Sequence, residues 1–76
     1  SQRVEDGYIG VDATMSKYVG QTGTTQTDMR PGGKIMIDGE TFDAVALNGS
    51  FIEEGCSIKV EKFENSQLYI VKINAE

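Results

Sequence analysis

Where the chain is patterned, apolar and polar residues alternate with a period of two, and no window carries a sustained apolar stripe at helical spacing. The clearest stretch is 34–47, where Asp38-Gly39 separates two alternating runs and fits a two-residue hairpin turn. Such a turn fixes the register. Ile37 faces Glu40, Met36 faces Thr41, Ile35 faces Phe42 and Lys34 faces Asp43. Opposed residues share a sheet face, so Ile35 and Phe42 are expected on the buried side, with Lys34 and Asp43 meeting as opposite charges on the other. Further on, Cys56, Ile58 and Val60 alternate with Ser57, Lys59 and Glu61, which predicts a half-buried strand, and residues 67–73 predict its neighbour. A two-residue turn at Asn65-Ser66 would pair Phe63 with Leu68 and Val60 with Val71. A three-residue turn would instead pair Val60 with Ile70, and the pattern admits both.

The remaining segments are shorter. Residues 8–11 are apolar enough for a strand, and 12–18 can make one helical turn capped by Asp12 or Thr14. Residues 19–27 include four threonines, a strand composition, with Gly23 marking a bulge or bend. Residues 28–33 then read as a loop punctuated by Pro31 and the Gly32-Gly33 pair. After the Asn48-Gly49 turn, Ser50-Phe51-Ile52-Glu53 has capping-box spacing and Gly55 can end the turn it starts. That predicts one helical or 3₁₀ turn, with Phe51 and Ile52 packed onto the core. Five strands, the first bent at glycine and a reduced helical turn between the third and fourth, match the order of an OB-type barrel. The fold class expected is all-β, a five-stranded OB-fold barrel.

Length and composition narrow the function. With 76 residues the chain holds one small domain and a thin core, which disfavours a deep catalytic cleft. It has no histidine, so the usual general base at neutral pH and the commonest metal ligand are missing. A net charge of -5 repels phosphate backbones and anionic headgroups. The single cysteine cannot form an internal disulfide. No apolar run reaches the roughly 20 residues that span a bilayer, so the domain is expected to be soluble. The chain begins at Ser1, as a piece excised from a longer protein or a processed product would. Residues 1–18 are expected to be a lead-in following the rest of the protein, and 19–76 the barrel domain.

The chemistry-bearing residues read better as structure. Cys56 has no histidine to make it a thiolate, and its alternation with Ile58 and Val60 makes it a core filler. Ser16-Lys17 and Ser57 with Lys59 offer formal serine-lysine pairs of the kind any chain contains. Glu53-Glu54 and the group Asp38, Glu40 and Asp43 could suggest acid-base work or a hard cation. Turn, cap and cross-strand roles account for them, and no calcium-loop spacing exists. The glycines lack the Gly-Lys-Thr or Gly-Lys-Ser of a phosphate loop. Arg30 is the one basic residue on the 28–33 loop and could dock a partner's carboxylate. OB barrels usually bind nucleic acid through a basic groove with aromatic stacking, but the hairpin carries Asp38, Glu40 and Asp43 against one lysine. Nucleic acid therefore ranks below protein. A biotinyl or lipoyl carrier fails because its modified lysine belongs at a hairpin tip, and the tips here are Asp38-Gly39 and Asn65-Ser66.

Gly20 and Gly23, Thr27-Asp28-Met29-Arg30-Pro31-Gly32-Gly33-Lys34, Ile37-Asp38-Gly39-Glu40 with Phe42 and Asp43, and Phe51-Ile52-Glu53-Glu54-Gly55 together resemble the C-terminal soluble domain of the NfeD family. The resemblance covers residues 7–73, with Met29 where members usually carry leucine and Gly32 where they often carry serine. It implies an OB-fold barrel carried by membrane-spanning segments and a stomatin-type or flotillin-type membrane partner. In longer members it also implies a ClpP-like serine protease domain, none of whose machinery maps onto this chain. The function expected is a non-catalytic interaction domain of a membrane-anchored protein, on the cytoplasmic side, with no cofactor and no metal. Met29, Arg30 and Phe51 are its candidate partner contacts. The alternative is an accessory domain of a linked membrane serine protease, or an oligonucleotide- or oligosaccharide-binding barrel.

Overall fold

The computed structural model describes residues 15–73. Five strands follow in chain order: β1 Thr22–Thr25, β2 Gly32–Ile37, β3 Glu40–Ala46, β4 Ser57–Glu64 and β5 Gln67–Lys72. They close into a barrel in the order β1-β2-β3-β5-β4, with β4 returning to β1. All neighbours are antiparallel except β3 and β5, which run parallel and pair through Val45 with Tyr69 and Ala46 with Ile70. Closure leaves few free edges, a gain for so short a chain. This is the expected all-β, OB-type barrel.

The β2–β3 hairpin has the register that its turn requires. Ile37 faces Glu40, Met36 Thr41, Ile35 Phe42, and Lys34 Asp43. Asp38 and Gly39 take φ values of 51° and 80°, the left-handed pair whose twist matches the strands. Lys34 Nζ bonds Asp43 Oδ1 on the outer face, and Ile35 is fully buried with Phe42 packed against the core. The ladder also takes in Gly32 and Gly33, opposite Val45 and Ala44, so the expected loop over 28–33 is two residues shorter. Thr27, Asp28 and Met29 fold back over Gly33. A Cβ there would lie 2.6 Å from the Asp28 carbonyl oxygen and from Met29 Sδ, so only glycine lets the strand start here.

The second hairpin combines both registers that the pattern admits. Asn65 and Ser66 form the two-residue turn, with φ of 54° and 61°, so Phe63 faces Leu68. A β-bulge between Val60 and Lys62 then leaves Glu61 without an opposite residue, and Val60 meets Ile70. The bulge has a packing reason. Val60 and Phe63 are three apart, so strict alternation would turn one of them outward, and one extra residue lets Val60 fill the core while Phe63 packs against it.

Two segments depart from expectation. The first strand is shorter than 19–27, and its Gly23 marks a close approach of the Met36 carbonyl, with the strand passing from β4 to β2 at Thr24. The helical turn between β3 and β4 is a 3₁₀ turn at Leu47–Gly49, ahead of the supposed capping box. Asn48 at φ 64° sits irregularly inside it, and Ser50 caps its end, its hydroxyl donating back to the Leu47 carbonyl instead of capping a new helix. Beyond it Ile52 is held in an antiparallel bridge. Met29 N–H donates to the Ile52 carbonyl at 2.7 Å and Ile52 N–H returns to Met29 at 3.2 Å, which leaves no helix for Glu53 to complete. Ile52 is buried as expected, but Phe51 turns outward.

Among the described residues ten buried apolar ones form the core: Met29, Ile35, Ile37, Ala44, Ala46, Ile52, Ile58, Val60, Leu68 and Ile70. Each large one contributes about 1.5–3 kcal/mol of burial. Met15, Tyr18, Phe42, Cys56 and Phe63 pack around them. Residues 15–20 turn tightly, with Tyr18 N–H on the Met15 carbonyl and Gly20 N–H on the Val60 carbonyl. The caps Asp12 and Thr14 and the expected strand over 8–11 lie outside the described residues.

A candidate docking surface at one end of the barrel

The barrel has two distinct ends. Because β3 and β5 are parallel, both hairpin tips, Asp38-Gly39 and Asn65-Ser66, lie at the end where these strands start. The loops after β1 and β3 and the last residues of β5 lie at the other end. There the sequence brings Arg30 and Phe51 together, 21 positions apart in the chain. The Arg30 guanidinium carbon lies 5.2 Å from the Phe51 ring centroid, a cation–π distance.

Their positions follow from the backbone beneath. The Met29–Ile52 bridge ties the two loops directly under the pair, one residue before Arg30 and one after Phe51. Asp28 adds a second tie, since its Oδ1 accepts the Glu54 N–H at 2.9 Å while its Oδ2 pairs with Arg30 at 3.2 Å. Thr25, only 3% exposed, supplies a third: its hydroxyl donates to the Glu53 carbonyl at 2.6 Å and accepts the Cys56 N–H at 2.9 Å. The loops are thus braced on three sides. Phe51 nevertheless stays 53% exposed, the most exposed large apolar side chain among the described residues. A braced, exposed aromatic marks an interaction surface better than a mobile one, because little ordering remains for a partner to impose.

Next to Phe51 runs a groove of about 270 Å³, lined by Leu47, Asn48, Ser50, Phe51, Ile52, Ile70, Val71 and Lys72. That is below the roughly 300–1,000 Å³ of small-molecule and cofactor pockets. Its size suits an inserted side chain. A broader depression of about 470 Å³ lies over Gly32, Gly33 and the Lys34–Asp43 pair, whose charges cancel each other.

Of the three candidate contacts, the structure brings Arg30 and Phe51 together at the surface and puts Met29 at 0% exposure. A side chain with no surface offers a partner nothing, so Met29 acts from inside, as packing and as one half of the bridge. Sequence reasoning missed Asp28 as the tie between the loops, and Leu47, Val71 and Lys72 as groove walls. The open register of the last hairpin left even the face of Val71 undecided. Cys56 is half-buried against the core. Among the described residues no three histidine, cysteine, aspartate or glutamate side chains gather as a metal site, and no helix is long and apolar enough to cross a membrane.

Known proteins place the chain. Residues 15–72 match the family model of the NfeD-like C-terminal, partner-binding domain. Membrane protein NfeD1b of Bacillus subtilis (strain 168) is 37% identical over 73 residues, which is 96% of this chain and 16% of that protein. The chain therefore spans about a sixth of the length of this relative. Among solved structures, the C-terminal domain of stomatin operon partner protein 1510-C from Pyrococcus horikoshii superposes with a TM-score of 0.69 at 28% identity. That match covers 78% of this chain and 92% of the archaeal one. With the fold and these likenesses in agreement, the chain belongs to the NfeD family, as its C-terminal, partner-binding domain.

Proposed function

We propose that the chain is a non-catalytic docking module of a membrane-anchored protein, and that it holds a stomatin-type or flotillin-type partner against the Arg30–Phe51 end of the barrel. The observation that carries this reading is the half-exposed Phe51, stacked by Arg30 and braced by Asp28 and the Met29–Ile52 bridge. The name of the archaeal neighbour, a stomatin operon partner, supports the choice of partner class. The membrane anchor rests on the likeness to a membrane protein. In this reading residues 19–76 are the docking barrel on the cytoplasmic side, and residues 1–18 lead into it, with Tyr18 resting on Phe42.

The test is co-purification of the full-length protein with its stomatin-type partner, with and without residues 1–76. Loss of the partner on deletion is the expected result. Unchanged recovery would sink the reading.

A further inference from the structure

The groove beside Phe51 has a charge character opposite to that of the molecule. The chain carries a net charge of -5, yet no carboxylate lines this groove, whose one charged wall residue is Lys72. Among the described residues Lys72 has no carboxylate partner. Arg30 stands over the ring of Phe51, and Asp28 engages only one of its nitrogens, leaving the guanidinium's other N–H groups free to donate. The groove's other walls are the apolar Leu47, Phe51, Ile52, Ile70 and Val71 together with the polar but uncharged Asn48 and Ser50. From this we infer that the groove takes a large apolar side chain of a partner segment that carries a carboxylate beside it, with the apolar group against Leu47, Phe51 and Val71 and the carboxylate shared by Lys72 and Arg30.

The inference rests on the docking reading and specifies the chemistry of what docks. Two cations at this end of a chain with a net charge of -5 favour acidic segments here, which gives register as well as affinity. An arginine held in a cation–π stack has its planar fork pre-oriented, so a carboxylate meets it at a smaller entropic cost than it would a free side chain. The aromatic supplies most of the binding energy, as buried aromatic anchors usually do.

The experiment is selection from a random displayed peptide library with the 76-residue chain as bait, followed by titration of a synthetic peptide of the enriched consensus. Enriched sequences are expected to join a large apolar residue to Asp or Glu within one or two positions. Binding of the consensus peptide should weaken about tenfold or more in Phe51→Ala. Lys72→Glu combined with Arg30→Glu should remove the acidic preference and the salt dependence while the apolar preference survives. Enrichment of basic or uncharged sequences, no enrichment, or binding indifferent to Phe51→Ala would overturn the inference. So would sedimentation showing that the chain self-associates through Phe51, which would make a second copy the occupant. If full-length Phe51→Ala loses its membrane partner but no acidic preference emerges from the library, the docking reading stands and this inference falls. If deletion of residues 1–76 leaves the partner bound, the docking reading itself fails.

Discussion

Thr25 shows how much one side chain can hold. It is the one buried polar residue among those described, and its hydroxyl serves both the Glu53 carbonyl and the Cys56 N–H. Thr25→Val keeps the shape and strands both groups, so it should cost about 1–3 kcal/mol in denaturant unfolding. Tyr18 provides a pH handle. Burial against the barrel, then the charge of Glu40 whose Oε1 accepts its hydroxyl at 3.3 Å, hold its pKa above the ordinary 10.0. A folded-state pKa that is raised contributes stability in full below the unfolded value, and that contribution is lost as pH rises through the folded one. Stability should therefore fall above about pH 10. In Glu40→Gln the Tyr18 transition in an ultraviolet titration should move down toward 10, and an unchanged transition would remove Glu40 as a cause. None of this was legible in the sequence, because Thr25 and Glu53, like Tyr18 and Glu40, meet only after the barrel closes.

Among the elements, the two hairpins were legible and the loop between β3 and β4 was not. A hairpin is decided by neighbours in the chain: Asp38-Gly39 dictates its own turn, and the alternation of 34–47 does the rest. The bulge at Glu61 was half visible, as two competing registers, since only the core decides that Val60 and Phe63 both point inward. Residues 50–53 misled because the capping-box spacing is a local signal, while the Met29–Ile52 bridge is a long-range bond that outcompetes it. Two substitutions test this account. Gly39→Val puts a β-branched residue at φ 80° with nothing near its Cβ, so its cost of about 1–2 kcal/mol is purely conformational. Gly33→Ala adds a Cβ into packed backbone and should cost about 1–3 kcal/mol through crowding. Thermal unfolding of both variants checks these values. A neutral Gly33→Ala would show that the 27–29 segment yields freely.

For the whole molecule, residues 15–20 and the Arg30–Phe51 surface lie at opposite ends of the barrel. Residues 15–20 join it at the end of the hairpin tips, where Tyr18 lies on Phe42 at a centroid distance of 4.7 Å. The Arg30–Phe51 surface lies at the opposite end, directed away from that junction. The family resemblance implied the fold and the partner class, and the structure brings two of the three candidate contacts, Arg30 and Phe51, together at one surface. The resemblance did not distinguish the residue that faces solvent from the one that faces the core, which is why Met29 stood beside them. That distinction needs a closed barrel, since Met29 and Phe51 are both apolar loop residues until the strands fix their directions.

The central claim is that this end of the barrel binds a partner through Phe51. Phe51→Ala in the full-length protein, co-purified with its stomatin-type partner, tests it most directly, with thermal unfolding of the same variant as the control. Because Phe51 is half-exposed, the barrel should lose little stability while recovery of the partner drops about tenfold or more. Full recovery of the partner with a folded Phe51→Ala barrel would contradict the claim.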